Sequence, residues 1–498
     1  MRSLSGPVTM LLAAAAGAVY PLAFAPFGFY GLAPVCLGVL FFVWQQSSWK
    51  QAMAAGWVFG LASFAIGISW VYVSLHTFGN MPPALAVICV AVFGAIMALY
   101  PALAGGLQAV CVQCPPAIRW MLVMPILWVL GEWLRGVLLS GFPWLYLGYS
   151  QVGTFLDSLF PIVGTLGVTL WWALLVGAVL TLVFQRSAPR WVPSAAVALL
   201  LALVMLARVP QFVTPEGPPI QVAVIQNNIP LNDKWNARLA LPIAERFQRQ
   251  SVALTDVDLI VWPEVALPFY LDELPLDYLP ILKAHSADFV IGLLDRDEAR
   301  AGVPYYNVAL GIGAEQTTYR KHQLVPFGEY LPLAFLLRWL LDYLHIPMSD
   351  FSAGALQQAA MPLAGTKVGA SICYEDAFSD VIRRSASASH VLVNLSEDAW
   401  FGDSLAPHQR LQMARARVLE TGRPMIRASN SGLSSIIRYD GTVTGQAGQF
   451  VEVVLRGRVQ PTQGDTFFVR AGNGPVIGLC LFGFLIGAVR AWIRRRCL

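Results

Sequence analysis

The chain has 498 residues, of which 56% are hydrophobic and only 12% are charged. A soluble domain typically has about 25% charged residues, so this chain has too few charges to cover the surface of a soluble protein of its size. Most of the net charge of +4 lies in short loops beside apolar segments and at the C-terminus. No basic patch with interleaved aromatic residues predicts nucleic-acid binding. The composition therefore indicates a membrane protein.

The cysteines and histidines do not form recognisable disulfide or metal-binding patterns. Six of the 7 cysteines lie in or beside apolar segments, which is not the distribution of a disulfide framework. Cys111 and Cys114 have CxxC spacing, but they lie at the end of an apolar segment without a strand–helix context. The spacing of these residues therefore predicts no metal site. Cys373, the lone cysteine of the long polar region, needs a separate explanation.

Eight apolar runs are candidates for membrane-spanning helices, which need about 20 apolar residues each. They cover residues 8–27, 30–46, 53–75, 84–110, 118–139, 158–185, 191–208 and 474–493. The first run is interpreted as a retained helix because it is long and further spans follow it. The run at 118–139 contains Glu132 and Arg135, which are costly in a bilayer. A structural ion pair and a functional role are the two interpretations of these residues.

The distribution of positive charge predicts the orientation of the chain. With a cytoplasmic N-terminus, the cytoplasmic segments contain most of the basic residues that flank the spans: Arg2, Lys50, Arg119, Arg186, Arg190, Arg490, Arg494, Arg495 and Arg496. The opposite loop at 76–83 contains no Lys or Arg. This positive-inside pattern places the polar region outside the cytoplasm, in the periplasm of a bacterium with two membranes.

Residues 210–472 have short β-branched runs between helical stretches. The predicted strands are Ile220–Ile225, Val257–Trp262, Phe289–Leu293, Tyr306–Ile312, Lys367–Cys373, His390–Leu395, Ser434–Arg438 and Val451–Val459. Predicted helices include Ala240–Ser251 and Ala406–Thr421. This pattern is typical of a layered α/β domain with a mixed sheet. We therefore divide the chain into helices one to seven (1–209), an extramembranous domain (210–472), and an eighth helix with a cytoplasmic tail (473–498).

One apolar stretch of the polar region, Leu331–Leu344, has two interpretations. It would lie in the lipid interface as an arm or lid, or it would be buried in the core of the domain. The sequence supports both equally.

Three motifs of the polar region carry residues with acid–base or nucleophilic chemistry. Glu264 ends an apolar strand in Val-Trp-Pro-Glu, Lys321 begins Lys-His-Gln-Leu-Val-Pro-Phe-Gly-Glu-Tyr, and Cys373 ends a strand in Ile-Cys-Tyr-Glu. A thiol becomes a good nucleophile as a thiolate, and a carboxylate takes its proton as general base. An ammonium group favours the thiolate and then the oxyanion of a tetrahedral intermediate. Each motif alone is weak, but together they suit acyl transfer.

These motifs, in this order, resemble the carbon–nitrogen hydrolase (nitrilase) superfamily and, more narrowly, the apolipoprotein N-acyltransferases of Gram-negative bacteria. Similar strings begin at Gly131, Asp398, Glu420 and Arg427, so the resemblance covers nearly the whole chain. It implies a polytopic helical membrane protein with an inserted nitrilase-like αββα sandwich. Glu397 departs from the family pattern, in which we expect Asn. We expect this change to alter the hydrogen bonding of its loop without affecting the catalytic assignment.

The resemblance implies a reaction and its partners. Cys373 would attack a phospholipid ester, with phosphatidylethanolamine as the expected donor. The thioester would then acylate the N-terminal amine of a diacylglyceryl-cysteine apolipoprotein, the last step of lipoprotein maturation. Glu264 would be the base in both halves and Lys321 would hold the oxyanion. We expect a monomer in the bacterial inner membrane that needs no cofactor.

Four further residues have accessory roles in this interpretation. Glu329 would orient Lys321, although a structural salt bridge explains it nearly as well. Tyr374 and Glu375 would shape the pocket, and the Tyr374 amide is a candidate oxyanion donor. Trp235 resembles a substrate-contact tryptophan of the family, and a surface aromatic without a function is the alternative.

Two other functions fit some of these features. A membrane-tethered hydrolase of amides would use the same three residues with water as the acceptor, but a small amide would not require eight spans and an apolar arm. A transporter with an accessory domain would show internal repeats and interrupted helices. The sequence contains neither repeats nor a clustered intramembrane charge pathway, which disfavours the transporter.

Overall fold

The computed structural model describes residues 5–185, 189–208, 211–299, 303–331 and 350–496. The described chain divides into two compact units. One, here the α/β unit, comprises Thr77–Asn80 and Phe212–Arg470, and the other, the helical unit, comprises the rest. The predicted apolar segment Leu331–Leu344 lies, apart from Leu331 itself, outside the described residues.

Apolar helices lie at the positions of all eight predicted runs. Four segments of the described chain are long and apolar enough to cross a bilayer: Gly6–Ala23, Pro83–Cys111, Pro116–Ser140 and Asp157–Phe184. Trp49–Gly67 and Val71–Phe78 together form a fifth candidate, bent by 60°. Shorter apolar helices are Leu32–Gln46, Trp191–Leu206 and Gly474–Val489, the last continuing to Arg496. Length and composition thus support four or five spans, and the total of eight stays a prediction.

The long segments are built from α-helices with short irregular turns between them. Their α-helical parts are Gly6–Val19, Pro83–Met97, Leu99–Leu107, Met124–Val137 and Phe160–Phe184.

Glu132 and Arg135 are buried in the helix Met124–Val137. The Glu132 carboxylate accepts hydrogen bonds from three groups: Trp128 Nε1 (3.1 Å), the Leu147 amide (2.8 Å) and Thr169 Oγ1 (2.9 Å). Arg135 donates to the carbonyl oxygens of Phe142 and Trp144. The predicted ion pair between these two residues is not among the ion pairs of the described chain. Both side chains instead attach the segment after this helix to the helix itself, which satisfies polar groups that would be costly to bury alone.

The α/β unit contains all the strands of the described chain. In chain order they are β1 (Thr214–Pro215), β2 (Ile220–Gln226), β3 (Leu259–Val261), β4 (Asp288–Arg296), β5 (Tyr305–Ile312), β6 (Gln316–Arg320), β7 (Met361–Leu363), β8 (Thr366–Ile372), β9 (Val391–Ser396), β10 (Met425–Ser429), β11 (Ser435–Ile437), β12 (Val443–Gln446), β13 (Val453–Val459) and β14 (Thr462–Gln463). They form two six-stranded sheets, in the orders β13-β2-β3-β4-β5-β6 and β12-β11-β10-β9-β8-β7, and β1 pairs with β14.

Both sheets are mixed and have a parallel centre. Strands β2, β3 and β4 are parallel in one sheet, and β8, β9 and β10 are parallel in the other. The outer strands pair antiparallel. Since parallel strands end at the same edge of a sheet, the segments that follow β8 and β9 lie at one edge of the second sheet.

The sheets and helices pack in four layers. Alternate residues of both sheets, such as Val224, Val261 and Ile372, form a shared core between the sheets. The other face of the first sheet packs against helices Ala237–Val252 and Tyr278–Lys283. The other face of the second sheet packs against helices Ser379–Ser387 and Leu405–Thr421. The order is helix–sheet–sheet–helix, as predicted for this region.

The eight predicted strands coincide with strands of the structure, but the prediction omitted β10 at the centre of the second sheet. Arg427 lies in the middle of β10 and is fully buried, so it interrupts the apolar run that identifies a buried strand. The short strands β6, β7 and β12 were also missed. They are at or beside sheet edges, where exposed positions weaken the hydrophobic pattern.

Candidate active site

Glu264 lies just beyond the carboxyl end of β3 and is almost fully buried. Its Oε1 atom lies 2.7 Å from Asn307 Nδ2 and 3.3 Å from Lys321 Nζ. The Cys373 thiol acts on the same carboxylate and lowers its pKa. The residue after Glu264, Val265, has a φ of 44°, so the chain turns sharply where it leaves the strand. Glu264, Lys321 and Cys373, predicted from separate motifs, thus share one buried site.

Lys321 follows β6 and is held at both its backbone and its side chain. Its amide donates to the carbonyl oxygen of Asn307 (2.9 Å). Its ammonium group contacts Glu329 Oε1 at 2.7 Å in addition to Glu264. The second oxygen of Glu329 accepts the amide of Val325 at 2.8 Å. Glu329 therefore fixes the Lys321 ammonium beside Glu264, and its interpretations as an orienting carboxylate and as a salt bridge describe the same contact.

Cys373 is the first residue after β8 and has a φ of 50°. A non-glycine residue in the left-handed region is strained, and such strain occurs at active sites where surrounding structure enforces it. A sharp strand-to-helix turn that presents a nucleophile is also the geometry of other acyl-transfer enzymes. The turn places the sulfur of Cys373 against Glu264.

The protonation of the three groups follows from burial and from their neighbours. Burial raises the pKa of Glu264, but Lys321, Asn307 and the Cys373 thiol lower it by more, so this pKa lies below its ordinary value. Burial lowers the pKa of Lys321, but Glu264 and Glu329 raise it above its ordinary value. Burial and Glu264 raise the pKa of Cys373 to about 12. The resting site is therefore a neutral thiol, an ionised base and an ammonium.

Glu375 connects the turn after Cys373 to the segment around Lys321. It is fully buried and accepts hydrogen bonds from four residues: the Tyr319 hydroxyl (3.0 Å) and the amides of His322 (2.8 Å), Gln323 (3.0 Å) and Ile372 (2.6 Å). Tyr374 packs edge-on against Phe378 with ring centroids 4.9 Å apart. Glu375 thus acts through the backbone around the site.

Trp235 lies directly after Lys234 and is 44% exposed. Lys234 itself is buried, and its ammonium donates to the backbone carbonyl of Glu264 (2.9 Å) and to Glu397 Oε2 (2.5 Å). Trp235 is therefore attached to Glu264 through its neighbour in the chain. Glu397, which stands where the family resemblance leads us to expect Asn, forms a buried ion pair with Lys234.

The sequence prediction missed three groups of the site. Asn307 of β5 bridges the Glu264 and Glu329 carboxylates (2.7 and 3.4 Å). Lys234 supports Glu264 from the other side. The third group is a buried charge network beside Cys373, formed by Asp376, Asp398, Arg410 and Arg427. The sequence signal that could have identified Asn307 is a polar residue inside an apolar strand. The signal for the network is the presence of charged residues on the buried side of a helix or strand.

The site's chemistry is nucleophilic and acid–base. Within the described part of the chain, no group of three or more His, Cys, Asp or Glu residues is arranged to hold a metal ion. A thiol beside an ionised carboxylate supplies a nucleophile with its base. The Lys321 ammonium supplies positive charge where an oxyanion would develop. This arrangement is suited to acyl transfer.

Comparison with known proteins agrees with this class. Residues 221–465 match the family model of the carbon–nitrogen hydrolases. Residues 16–179, in the helical unit, match the model described as the apolipoprotein N-acyltransferase N-terminal domain. An apolipoprotein N-acyltransferase of Methylococcus capsulatus is 41% identical, over 95% of this chain and 94% of that protein. One of Nitrosomonas europaea is 38% identical over 99% of each chain. The chain belongs to the apolipoprotein N-acyltransferase family.

Proposed function

We propose that this chain transfers a fatty acyl group from a phospholipid to the N-terminal amine of a diacylglyceryl-cysteine apolipoprotein, through a thioester on Cys373. Phosphatidylethanolamine is the expected donor. The observation that carries the proposal is that the Cys373 thiol, the Glu264 carboxylate and the Lys321 ammonium share one buried site, in which Lys321 Nζ lies 3.3 Å from Glu264 Oε1. The family membership and the apolar helices support lipid-anchored substrates.

In the first half-reaction, the sulfur of Cys373 attacks the ester carbonyl carbon of the phospholipid, and Glu264 takes the proton of the thiol. Lys321 stabilises the negative charge that develops on the carbonyl oxygen. When the intermediate collapses, the carbon–oxygen bond of the ester breaks. Glu264 returns its proton to the departing glycerol oxygen, and a lysophospholipid leaves. The acyl group remains on the sulfur as a thioester.

In the second half-reaction, the neutral amine of the apolipoprotein attacks the thioester carbon. Glu264 takes a proton from the attacking nitrogen, and the carbon–sulfur bond breaks. The sulfur leaves as a thiolate and regains the proton from Glu264. The products are an N-acylated lipoprotein and the free Cys373 thiol, so the same carboxylate serves both halves.

The proposal includes a location and a partnership. We propose that the enzyme is a monomer in the bacterial inner membrane, with the α/β unit in the periplasm. The loop charges that predict this orientation support it. The partners are a phospholipid and a diacylated apolipoprotein, both anchored in that membrane. The proposed reaction requires neither a cofactor nor a nucleic acid.

Intact mass spectrometry tests the proposal. Purified protein incubated with phosphatidylethanolamine should gain the mass of one fatty acyl chain, which a diacylated lipopeptide with a free N-terminus should then remove as the acylated amide. Cys373→Ala should abolish the adduct. Cys480→Ala, which removes another buried cysteine, is the matched control and should acylate like wild type. Absence of the adduct together with hydrolysis of small amides would instead establish a membrane-tethered hydrolase.

A further inference from the structure

A second cation besides Lys321 lies beside the sulfur of Cys373. Arg410, in the helix Leu405–Thr421, is 37 residues further along the chain and is 1% exposed. Its Nη1 atom donates a hydrogen bond to Cys373 Sγ at 3.6 Å. None of the sequence motifs includes this residue.

Two buried carboxylates hold the Arg410 guanidinium in this position. Asp398 accepts from Nη1 at 2.5 Å, and Asp376 accepts from Nη2 at 3.0 Å. Nη2 also donates a hydrogen bond to Ser396 Oγ at 3.0 Å. The planar guanidinium is therefore fixed at both of its terminal nitrogens, Nη1 and Nη2. Nη1 also faces the sulfur of Cys373. A guanidinium stays protonated at any working pH, so its charge is a permanent feature of the site.

The two cations have different partners. The Lys321 ammonium is shared between Glu264 and Glu329. Arg410 does not contact either of these carboxylates in the described structure, and it is the cation with a hydrogen bond to the sulfur. A negative charge on the sulfur would thus be met directly by Arg410.

We propose that Arg410 is a further catalytic residue, whose guanidinium stabilises the Cys373 thiolate during attack and again when the sulfur leaves the second tetrahedral intermediate. This inference rests on the proposed role of Cys373 as the nucleophile. The proton of the thiol goes to Glu264, and the charge left on the sulfur is stabilised by the Nη1 donor. In the thioester the sulfur is neutral and this interaction is weakened. Arg410 therefore favours the states in which sulfur is charged, which is the condition for catalysis.

The charges around the sulfur give the sign of the effect. The groups that act on it are Glu264, Lys321, Arg410 and Asp398, with Glu375, Asp376 and Arg427 in the adjoining network. Burial, Glu264 and Asp398 raise the pKa of Cys373, whereas Arg410 and Lys321 lower it. Removing Arg410 should therefore raise this pKa further.

The test measures the rate of iodoacetamide alkylation at Cys373 as a function of pH, by mass spectrometry of the Cys373 peptide, in full-length protein in detergent. Because the thiolate is the reactive form, each unit of upward pKa shift lowers the rate about tenfold at a given pH below the pKa. We expect Arg410→Gln to alkylate at least about tenfold more slowly than wild type, with its profile moved to higher pH. Arg410→Lys, which keeps a positive charge, should lie between them. Thioester formation from phosphatidylethanolamine should slow in the same order.

Arg427→Lys is the matched control. Arg427 is fully buried and binds the same Asp398 (3.0 Å) and Asp376 (3.6 Å), but Arg410 is the residue with the hydrogen bond to Cys373. Arg427→Lys should lower the unfolding temperature and leave the alkylation profile at the wild-type position. If Arg410→Gln acted only by loosening the charge network, the alkylation profiles of Arg410→Gln and Arg427→Lys would move alike.

Arg410→Lys keeps the inference testable if Arg410→Gln does not fold. Its ammonium keeps the positive charge but lacks the planar fork that binds both aspartates and the sulfur, so its alkylation profile should still lie at higher pH than that of wild type. The inference is overturned if folded Arg410→Gln keeps the wild-type profile, or if Arg410→Gln does not fold and folded Arg410→Lys keeps that profile. Failure of wild type to form an acyl adduct would overturn the proposed function instead, and the alkylation profiles distinguish the two results.

Discussion

Glu264 and Lys321 of the active site are buried charged groups, and each is stabilised by specific neighbours. Glu264 is bound by Asn307 and Lys321, and Lys321 is bound in turn by Glu329. Burying any of these charges alone would cost several kcal/mol. The site therefore has the protonation state needed for catalysis before substrate arrives, because its neighbours compensate for the missing water.

The pH dependence of thioester formation should reflect the lowered pKa of Glu264. A carboxylate with a folded pKa below its ordinary value remains ionised until the pH falls through that lower value. We expect the rate of adduct formation to reach half its plateau below about pH 4.3, the value of an unperturbed glutamate. Asn307→Ala removes a hydrogen bond that lowers this pKa, so its midpoint should lie at higher pH. A wild-type midpoint above that of Asn307→Ala would contradict this assignment.

The buried pair of Lys234 and Glu397 should be costly to break on one side. Glu397→Gln leaves the Lys234 ammonium buried without a counter-charge, and such changes cost about 3–5 kcal/mol. The double variant Lys234→Met/Glu397→Leu removes both charges and should be less destabilised than Glu397→Gln alone. Chemical denaturation in detergent, followed by tryptophan fluorescence, measures the difference. If the substitutions of Lys234 and Glu397 had additive effects on the free energy of unfolding, the 2.5 Å contact between the two residues would not couple them.

At the scale of elements, the helix Leu405–Thr421 delivers Arg410 to the site from a well-defined start and end. Its first turn is capped by Ser404, whose hydroxyl accepts the Ala406 amide at 3.3 Å, an interaction typical of helix N-termini. Its end is Gly422, with a φ of 65°. These ends set the rotation of the helix, and with it the direction of the Arg410 side chain.

Gly422→Ala should destabilise the α/β unit more than a comparable change elsewhere. The left-handed conformation costs a non-glycine residue about 1–2 kcal/mol, and a Cβ at this position would also lie 2.6 Å from Val213 Cγ1. Gly217 has a similar φ of 62° with nothing within 4 Å of a Cβ, so Gly217→Ala isolates the backbone cost. Thermal unfolding should show a larger loss for Gly422→Ala. Equal losses would mean that the neighbours of Gly422 yield without cost.

At the scale of the whole molecule, the orientation in the membrane is the main prediction. Alkaline phosphatase, which folds only after export, should be active when fused after Gly217, at the beginning of the α/β unit. Green fluorescent protein, which does not fluoresce after export by the general pathway, should fluoresce when fused to the C-terminus. Activity of the first and fluorescence of the second would place the two on opposite sides of the membrane. An inactive phosphatase with a fluorescent C-terminus would contradict the periplasmic location.

Sequence alone determined those features that depend on neighbours along the chain. The apolar runs predicted helices because about 20 consecutive apolar residues are recognisable without knowledge of any contact. Glu264, Lys321 and Cys373 were found because each lies in a motif beside a strand end. In the structure their side chains meet, as their shared chemistry required. The catalytic roles themselves remain predictions that the experiments above test.

Only the tertiary structure decided which residues compensate for the buried charges. Arg410 and Cys373 are 37 residues apart, and Lys234 and Glu397 are 163 apart, so no local pattern connects them. Strand β10 was missed because the charge of Arg427 interrupts its apolar run. In the folded chain Asp398 lies beside Arg427 and compensates for that charge. Hydropathy and periodicity are properties of adjacent residues, whereas the stability of a buried charge depends on which strands and helices become neighbours in space.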